Sequence, residues 1–167
     1  DFIRRLASDK TQTAYTEWIE KCNHWTSVFP RCEEKYRQAE TIDLYYLAES
    51  LSETMPRDAV FVSDSGVEEL ILPSNIVFGP DQRCIHPVSQ GSMGYALPAV
   101  VGAWFANKRR IVCVVGDGSI MMNLQELATI AFHRIPVVIL VVNNGLYDII
   151  RTRQKELFRR RTIGTDS

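Results

Sequence analysis

Two runs of aliphatic, mostly β-branched residues, Ile111-Val112-Cys113-Val114-Val115 and Pro136-Val137-Val138-Ile139-Leu140-Val141-Val142, stop abruptly in polar residues. The first ends in Gly116-Asp117-Gly118-Ser119 and the second in Asn143-Asn144. A sheet with one wet face alternates apolar and polar side chains, whereas strands covered on both faces read as continuous apolar runs. The two runs therefore predict buried parallel strands, which need helices on both faces of the sheet. The 24 residues from 119 to 142 leave room for a helical crossover, with Asn123 to Phe132 the expected helix. In an open α/β sheet, ligands bind beyond the carboxyl ends of the strands. A carboxylate and two amides delivered there by neighbouring strands suit a metal ion together with a phosphate.

The remaining segments predict the same architecture. Ala59-Val60-Phe61-Val62 reads as a first strand, and it too runs into a polar cluster, Ser63-Asp64-Ser65-Gly66. Thr41 is placed to cap a helix running to about Glu53, with Leu44, Leu47, Ala48 and Leu51 on one face. Residues 91 to 106 predict a helix of small residues, followed by the basic turn Asn107-Lys108-Arg109-Arg110, and a weaker strand is expected near 75 to 78. The order strand, helix, strand, helix, strand predicts a doubly wound, mostly parallel α/β sheet flanked by helices. Residues 11 to 26 and 31 to 39 instead carry Trp18, Ile19, Cys22 and Trp25 at helical spacing among charges, an amphipathic arm set off by Pro30. The expected division is a helical arm or linker over 1–40 and a binding domain over 41–167. The arm's tryptophans are expected to pack on this same domain, the alternative being a surface for a domain outside it. The polar end Gly164-Thr165-Asp166-Ser167 and the start at Asp1 without Met suggest a piece of a longer protein with further strands beyond.

Charge excludes two classes of partner. Nineteen basic side chains against 20 acidic ones give a net charge of −1, so no global field favours nucleic acid or an anionic membrane surface. No apolar run approaches the roughly 20 residues of a membrane span. Cys22, Cys32, Cys84 and Cys113 have no Cys-x-x-Cys spacing, which suits a reducing compartment and leads to the expectation of a cytoplasmic protein. The dispersed His24, His86 and His133 do not have the spacing of a zinc site. A nicotinamide-binding fold would require a third glycine where Met121 stands.

Gly116-Asp117-Gly118, a spacer of this length and Asn143-Asn144 resemble the cofactor motif of thiamine diphosphate enzymes. Gln125-Glu126-Leu127 with Thr129, and Gly91-Ser92-Met93-Gly94-Tyr95-Ala96-Leu97-Pro98-Ala99, extend the similarity to the diphosphate-binding domain of the acetolactate synthase and pyruvate decarboxylase group, over roughly residues 41 to 166. The resemblance implies thiamine diphosphate and Mg2+ as cofactors. Magnesium takes six oxygens and few protein ligands. Its expected protein ligands are the Asp117 carboxylate, the Asn144 side-chain carbonyl and, by resemblance, the Leu146 backbone carbonyl. Gly116 and Gly118, lacking Cβ atoms, let the backbone approach the diphosphate, while Ser119 and the amides of Ser119 and Ile120 donate to it. Gly91, Ser92 and Met93 complete the expected cofactor contacts together with Tyr147. Met93 matches the apolar residue that holds the two cofactor rings together, and the Gly91 carbonyl matches the acceptor for the pyrimidine amino group. Neither is a catalytic residue; both orient the cofactor.

The implied function is that of a lyase or transferase acting on a small 2-oxo acid, a decarboxylase or an acetolactate synthase-like carboligase. In the family, a glutamate on a separate pyrimidine-binding domain activates the cofactor, and no Glu of this chain sits in that motif. The expectation is thus a half-site, inactive alone and completed by the pyrimidine-binding domain of another subunit in a homo-oligomer. Pyruvate decarboxylase-like enzymes place a glutamate six residues after the second Asn, where this chain has Ile150. Acetolactate synthases carry a tryptophan where Arg153 stands, although Gln154 keeps the pattern. Arg151, Arg153, Lys155 and Arg159 to Arg161 read as a solvated face before a site for an acidic substrate. The stretch after Asn144 is where a lid poorly ordered without its partner domain is expected. The alternative function is a non-catalytic or regulatory thiamine diphosphate-binding homologue.

Overall fold

A computed structural model describes residues 15–165 of the chain. Four strands form one parallel sheet: β1 (Val60–Ser63), β2 (Arg83–Ile85), β3 (Ile111–Gly116) and β4 (Val137–Val142), in the order β2-β1-β3-β4. β1 pairs with both β2 and β3, and β3 with β4; Val60 lies opposite Ile111, and Gly116 opposite Val142. The helices are α1 (Thr16–Val28), α2 (Glu34–Arg37), α3 (Leu44–Thr54), α4 (Val67–Asn75), α5 (Ala96–Asn107), α6 (Asp117–Ile120), α7 (Glu126–Phe132) and α8 (Asp148–Leu157). A 3-10 turn, Met121–Asn123, follows α6.

Side-chain alternation along the strands creates two cores. Val60, Val62, Ile111, Cys113 and Val115 face Ala96, Leu97, Val100 and Ala103 of α5 and Ile130 of α7. Phe61, Val112 and Val114 face Ala48 and Leu51 of α3 and Leu72 of α4. The result is the expected three-layer α/β arrangement, with β1 and the apolar residues of β3 buried throughout. Burial pushes the Cys113 thiol up to about 12, so it serves as a small core hydrophobe.

Several local expectations change. β4 is half-buried, with Val138 and Val141 exposed, because among the described residues it pairs on one side alone. The second strand is Arg83–Ile85 and not 75 to 78. There Asn75 ends α4, while Ile76 is buried and Phe78 packs on the Phe61 ring. α4 itself escapes a sequence reading because Pro73 interrupts its apolar run. The α3 cap is Asp43, whose carboxylate accepts from the Tyr45 N–H at 2.8 Å, in place of Thr41. α5 begins at Ala96, since residues 91 to 95 form a turn, and α7 begins at Glu126 behind the 3-10 turn.

The arm is helical over Thr16–Val28; residues 11 to 14 lie outside the described residues. None of its residues is buried: Trp18 is 66% and Trp25 58% exposed, so the tryptophans are not covered by this same domain as expected. Trp25 instead stacks on Phe29. α2 is held to α3 by Arg37, whose Nε donates to Glu49 Oε2 at 2.8 Å.

Core and arm set a stability contrast. Leu72→Ala, at a fully buried position, is expected to cost about 3 kcal/mol in denaturant unfolding. Trp18→Ala in the intact chain is expected to change it by less than about 0.5 kcal/mol.

Candidate functional site

Strand order places the site. The chain moves from β1 outward to β2, then crosses back over β1 to β3 and on to β4. The connections that leave the carboxyl ends of β1 and β3 therefore diverge to opposite faces, and a crevice opens where they part. A cleft of about 540 Å³ occupies that position, within the usual size of a small-molecule site. Its walls come from residues 65 to 70 after β1, Gly116 to Ser119 after β3, and Asn144 with residues 146 to 150 after β4; Gly91 and Met93 close one side.

Parallel register accounts for the convergence of the two polar motifs. Because Gly116 is level with Val142, Asp117 emerges beside the Asn143-Asn144 loop. Asp117 Oδ2 accepts from the Gly145 N–H at 2.8 Å, and Asn144 Oδ1 accepts from the Leu146 N–H at 3.0 Å. A carboxylate or amide oxygen that accepts one N–H keeps a lone pair for a second partner. Ser119 is buried, and its hydroxyl is 3.3 Å from the Ser65 carbonyl, to which it donates across the cleft floor. The Tyr147 ring lies against Gly118 so closely that a Cβ there would collide with it.

Asp64 organises the third wall. It is fully buried, and its carboxyl accepts three backbone N–H groups: Ser65 at 2.8 Å and Gly94 at 2.9 Å through Oδ1, and Ala96 at 2.7 Å through Oδ2. The end of β1 thereby fixes both the 91–94 turn and the first turn of α5. Asn123 Nδ2 adds a bond to the Gly94 carbonyl at 2.7 Å. Gly94 itself sits at φ +80°, and a Cβ there would come within 2.6 Å of Met122 Cβ, so only glycine fits. This frame carries Gly91 and Met93 to the cleft.

Of the residues expected from sequence, Gly91, Met93, Gly116, Asp117, Gly118, Ser119, Asn144, Leu146 and Tyr147 line one cleft. Ser92 does not line it and is exposed, and the Ile120 side chain packs on the core beneath α5. The region after Asn144, where a lid was expected, contains helix α8. Gln154 holds a following strand of chain by two bonds to Ile163, at 3.0 and 3.1 Å, and the Tyr147 N–H donates to the Thr165 carbonyl at 2.8 Å. Ile150 lines the cleft, whereas Arg153 faces solvent and pairs with Glu156 at 3.4 Å.

Glu68 was not anticipated. It lies in the first turn of α4, is only 6% exposed and lines the cleft. Its Oε1 has no hydrogen-bond partner. Burial pushes its carboxyl up to about 7; the backbone N–H groups of Glu68 and Gly116 pull it partly back, and the negative charges of Asp64 and Glu69 add to the rise. An acidic residue after a polar strand end gives no sequence cue that it will turn inward.

The charged side chains that line the cleft are Glu68, Glu69, Asp117 and Asp148, all acidic. Among the described residues, no three or more His, Cys, Asp and Glu side chains group into a metal site of their own. Residues 70–167 match the family described as "Thiamine pyrophosphate enzyme, C-terminal TPP binding domain". The chain belongs to this family. Over 150 residues it is 31% identical to the acetolactate synthase large subunit of Haemophilus influenzae, covering 89% of this chain and 26% of that protein. It is 33% identical over 135 residues to the acetolactate synthase isozyme 2 large subunit of Escherichia coli, covering 78% and 25%. A solved thiamine diphosphate-dependent 4-hydroxybenzoylformate decarboxylase of Rhodococcus jostii superposes with a TM-score of 0.68 at 32% identity, over 77% of this chain and 24% of that one. The chain thus spans about a quarter of the length of these relatives. It is a thiamine pyrophosphate-binding domain of the acetolactate synthase and 2-oxo-acid decarboxylase family.

Two predictions come from the buried carboxyls. Asp64→Asn puts an NH2 where an oxygen accepts an N–H, and is expected to cost about 2 to 3 kcal/mol of stability by calorimetry or denaturant unfolding. Glu68 takes up a proton on folding wherever the pH lies between its ordinary carboxylate value and about 7, so its contribution to stability falls as pH rises through that window and is lowest above it. Glu68→Gln is therefore expected to match the parent near pH 4 and to exceed it by on the order of 2 kcal/mol at pH 8.

Proposed function

We propose that this domain holds the magnesium-diphosphate end of thiamine diphosphate and forms one half of the active site of an acetolactate synthase-like 2-oxo-acid carboligase or decarboxylase. The observation that carries the reading is the charge of the cleft. A diphosphate is an anion of up to three charges, and the charged side chains lining this cleft are all carboxylates. A divalent cation resolves that conflict, since it is the largest local charge in such a site and reverses the preference of the carboxylates around it.

The donor set suits magnesium, which takes one or two protein carboxylates plus phosphate oxygens and water. Asp117, the Asn144 side-chain carbonyl and the Leu146 backbone carbonyl would hold the ion. One carboxylate supplies charge, and the neutral amide and carbonyl add oxygens without further repulsion toward the phosphates. The backbone of Gly116 to Ile120, at the end of β3 and through α6, offers N–H groups toward the diphosphate. The Ser119 hydroxyl, already donating to Ser65, would keep the floor of the cradle closed. Gly91 and Met93, fixed through Asp64 and the 91–94 turn, would orient the remainder of the cofactor.

Bound thiamine diphosphate supplies the carbon acid and electron sink for cleaving or joining 2-oxo acids. The domain's own residues bind and orient it. No Glu of this chain sits in the motif by which the family activates the cofactor, so on this reading the half-site is inactive until a pyrimidine-binding domain of another subunit completes it. The small 2-oxo-acid substrate, a homo-oligomeric assembly and a cytoplasmic location belong to the same proposal.

Calorimetric titration with thiamine diphosphate tests it. Binding is expected with magnesium and not with chelator, and Asp117→Ala is expected to weaken it by at least about 100-fold, the loss of roughly 3 kcal/mol from a metal-bound carboxylate. Magnesium-independent binding would remove the assigned ion site. Turnover of pyruvate by the 167-residue chain alone would overturn the half-site reading.

A further inference from the structure

The turn that carries Met93 to the cleft is gripped at Gly94 from two sides. Gly94 is buried; its N–H donates to Asp64 Oδ1 at 2.9 Å, and its carbonyl accepts from Asn123 Nδ2 at 2.7 Å. Asp64 follows β1, whereas Asn123 ends the 3-10 turn that continues α6 beyond β3. The turn is thus suspended between the ends of the two central strands. Left-handed glycines flank it, Gly91 at φ +57° and Gly94 at φ +80°, and glycine rotates readily where nothing holds it. A buried carbonyl that lost its donor would turn toward water, because an unpaired buried acceptor is costly. Met93 would move with it.

Asn123 is itself aimed. Gln125 Nε2 donates to Asn123 Oδ1 at 3.0 Å, which leaves the amide NH2 directed at Gly94. We propose that Asn123, oriented by Gln125, is a positioning residue that sets Met93 relative to the diphosphate cradle. The inference rests on the proposed binding of thiamine diphosphate and magnesium in this cleft. Asp117, the proposed ion ligand, begins the same continuous helical stretch that Asn123 ends, about 10 Å of chain at helical rise. One stretch of backbone therefore references both ends of the cofactor, the cradle at its start and, through Gly94, the Met93 contact at its end. The ion and the diphosphate remain with Asp117 and its neighbouring glycines when Asn123 is altered, so the charged end stays in place while the contact with the rings is disturbed.

The test combines calorimetric titration of the intact chain with thiamine diphosphate and magnesium and nuclear magnetic resonance of its isotope-labelled methionine methyl groups, in which Met93 is distinguished from Met55, Met121 and Met122 by single substitutions. Asn123→Asp keeps the size of the side chain and replaces the donor with an acceptor. Gln125→Glu, at an exposed position, draws the Asn123 NH2 away from Gly94 without altering Asn123. Each variant is checked for folding by thermal unfolding. In wild type the Met93 methyl signal is expected to shift when the cofactor's aromatic rings bind beside it. Asn123→Asp is expected to bind with magnesium within about threefold of wild type while the Met93 shift falls by about half or more, and Gln125→Glu to do the same to a smaller extent. A purely structural role would lower thermal stability and leave the Met93 response of the folded protein unchanged; that result overturns the proposal. So does a loss of affinity of about tenfold alongside the Met93 response, which would assign Asn123 to the cradle. If Asn123→Asp does not fold, Gln125→Glu decides by the same two readouts. If wild type binds no cofactor, the cleft assignment fails and this inference with it; binding without a Met93 response removes the inference alone.

Discussion

The pairing of β1 with β3 is the contact on which the molecule is organised. These two strands are buried on both faces, so each alternate residue commits to one of two cores, and their register cannot slip by one residue without exchanging those cores. The chain leaves β1 in one direction and β3 in the other, which opens a crevice between their carboxyl ends. The cleft is therefore a consequence of strand order before any of its residues is considered. β4 then joins the far side of β3 in a register that brings Asn144 to Asp117.

Two carboxyl groups at that crevice, four residues apart, illustrate how local geometry divides one chemistry into two uses. Asp64 directly follows β1 with both oxygens committed to backbone N–H groups, and it serves as a rivet joining the strand end, the 91–94 turn and α5. Glu68, one helical turn further on, is nearly as well buried but leaves an oxygen without a partner. The first arrangement offsets the loss of water with hydrogen bonds; the second offsets it by holding a proton more tightly. A side chain of the second kind, in a cleft, is where physical reasoning locates function.

Much of this was legible in the residues. Continuous β-branched runs reported burial on both faces, and the polar residues that end them reported the sheet edge where a ligand would sit. Nine of the expected site residues line the cleft because strand ends are places where sequence position and spatial position coincide. What failed lacks such a signal. Arg83-Cys84-Ile85 is too short to show a period and, among the described residues, pairs with β1 alone. α4 carries Pro73, which breaks its helical pattern, so no helix was expected there and Glu68 could not be placed on an inward face. Trp18 and Trp25 have the spacing of a buried helical stripe, yet periodicity reports only that a stripe exists and not what covers it.

Gly116 and Asp117 line the cleft at the end of β3, whereas Leu146, Tyr147, Asp148, Ile149 and Ile150 line it where the chain enters α8. On the proposed reading, the diphosphate of the cofactor lies at the Asp117 end, where a divalent cation offsets the carboxylates, and its rings lie toward α8. The apolar end is also rigidly backed, because Gln154 ties α8 to Ile163 and Tyr147 is held through Thr165. On the proposed reading, the apolar residues there orient the rings, and activation of the cofactor falls to the pyrimidine-binding domain. The two halves of the chemistry would then be separated by construction: this domain supplies the anion site and the alignment, and its partner supplies the acid and base.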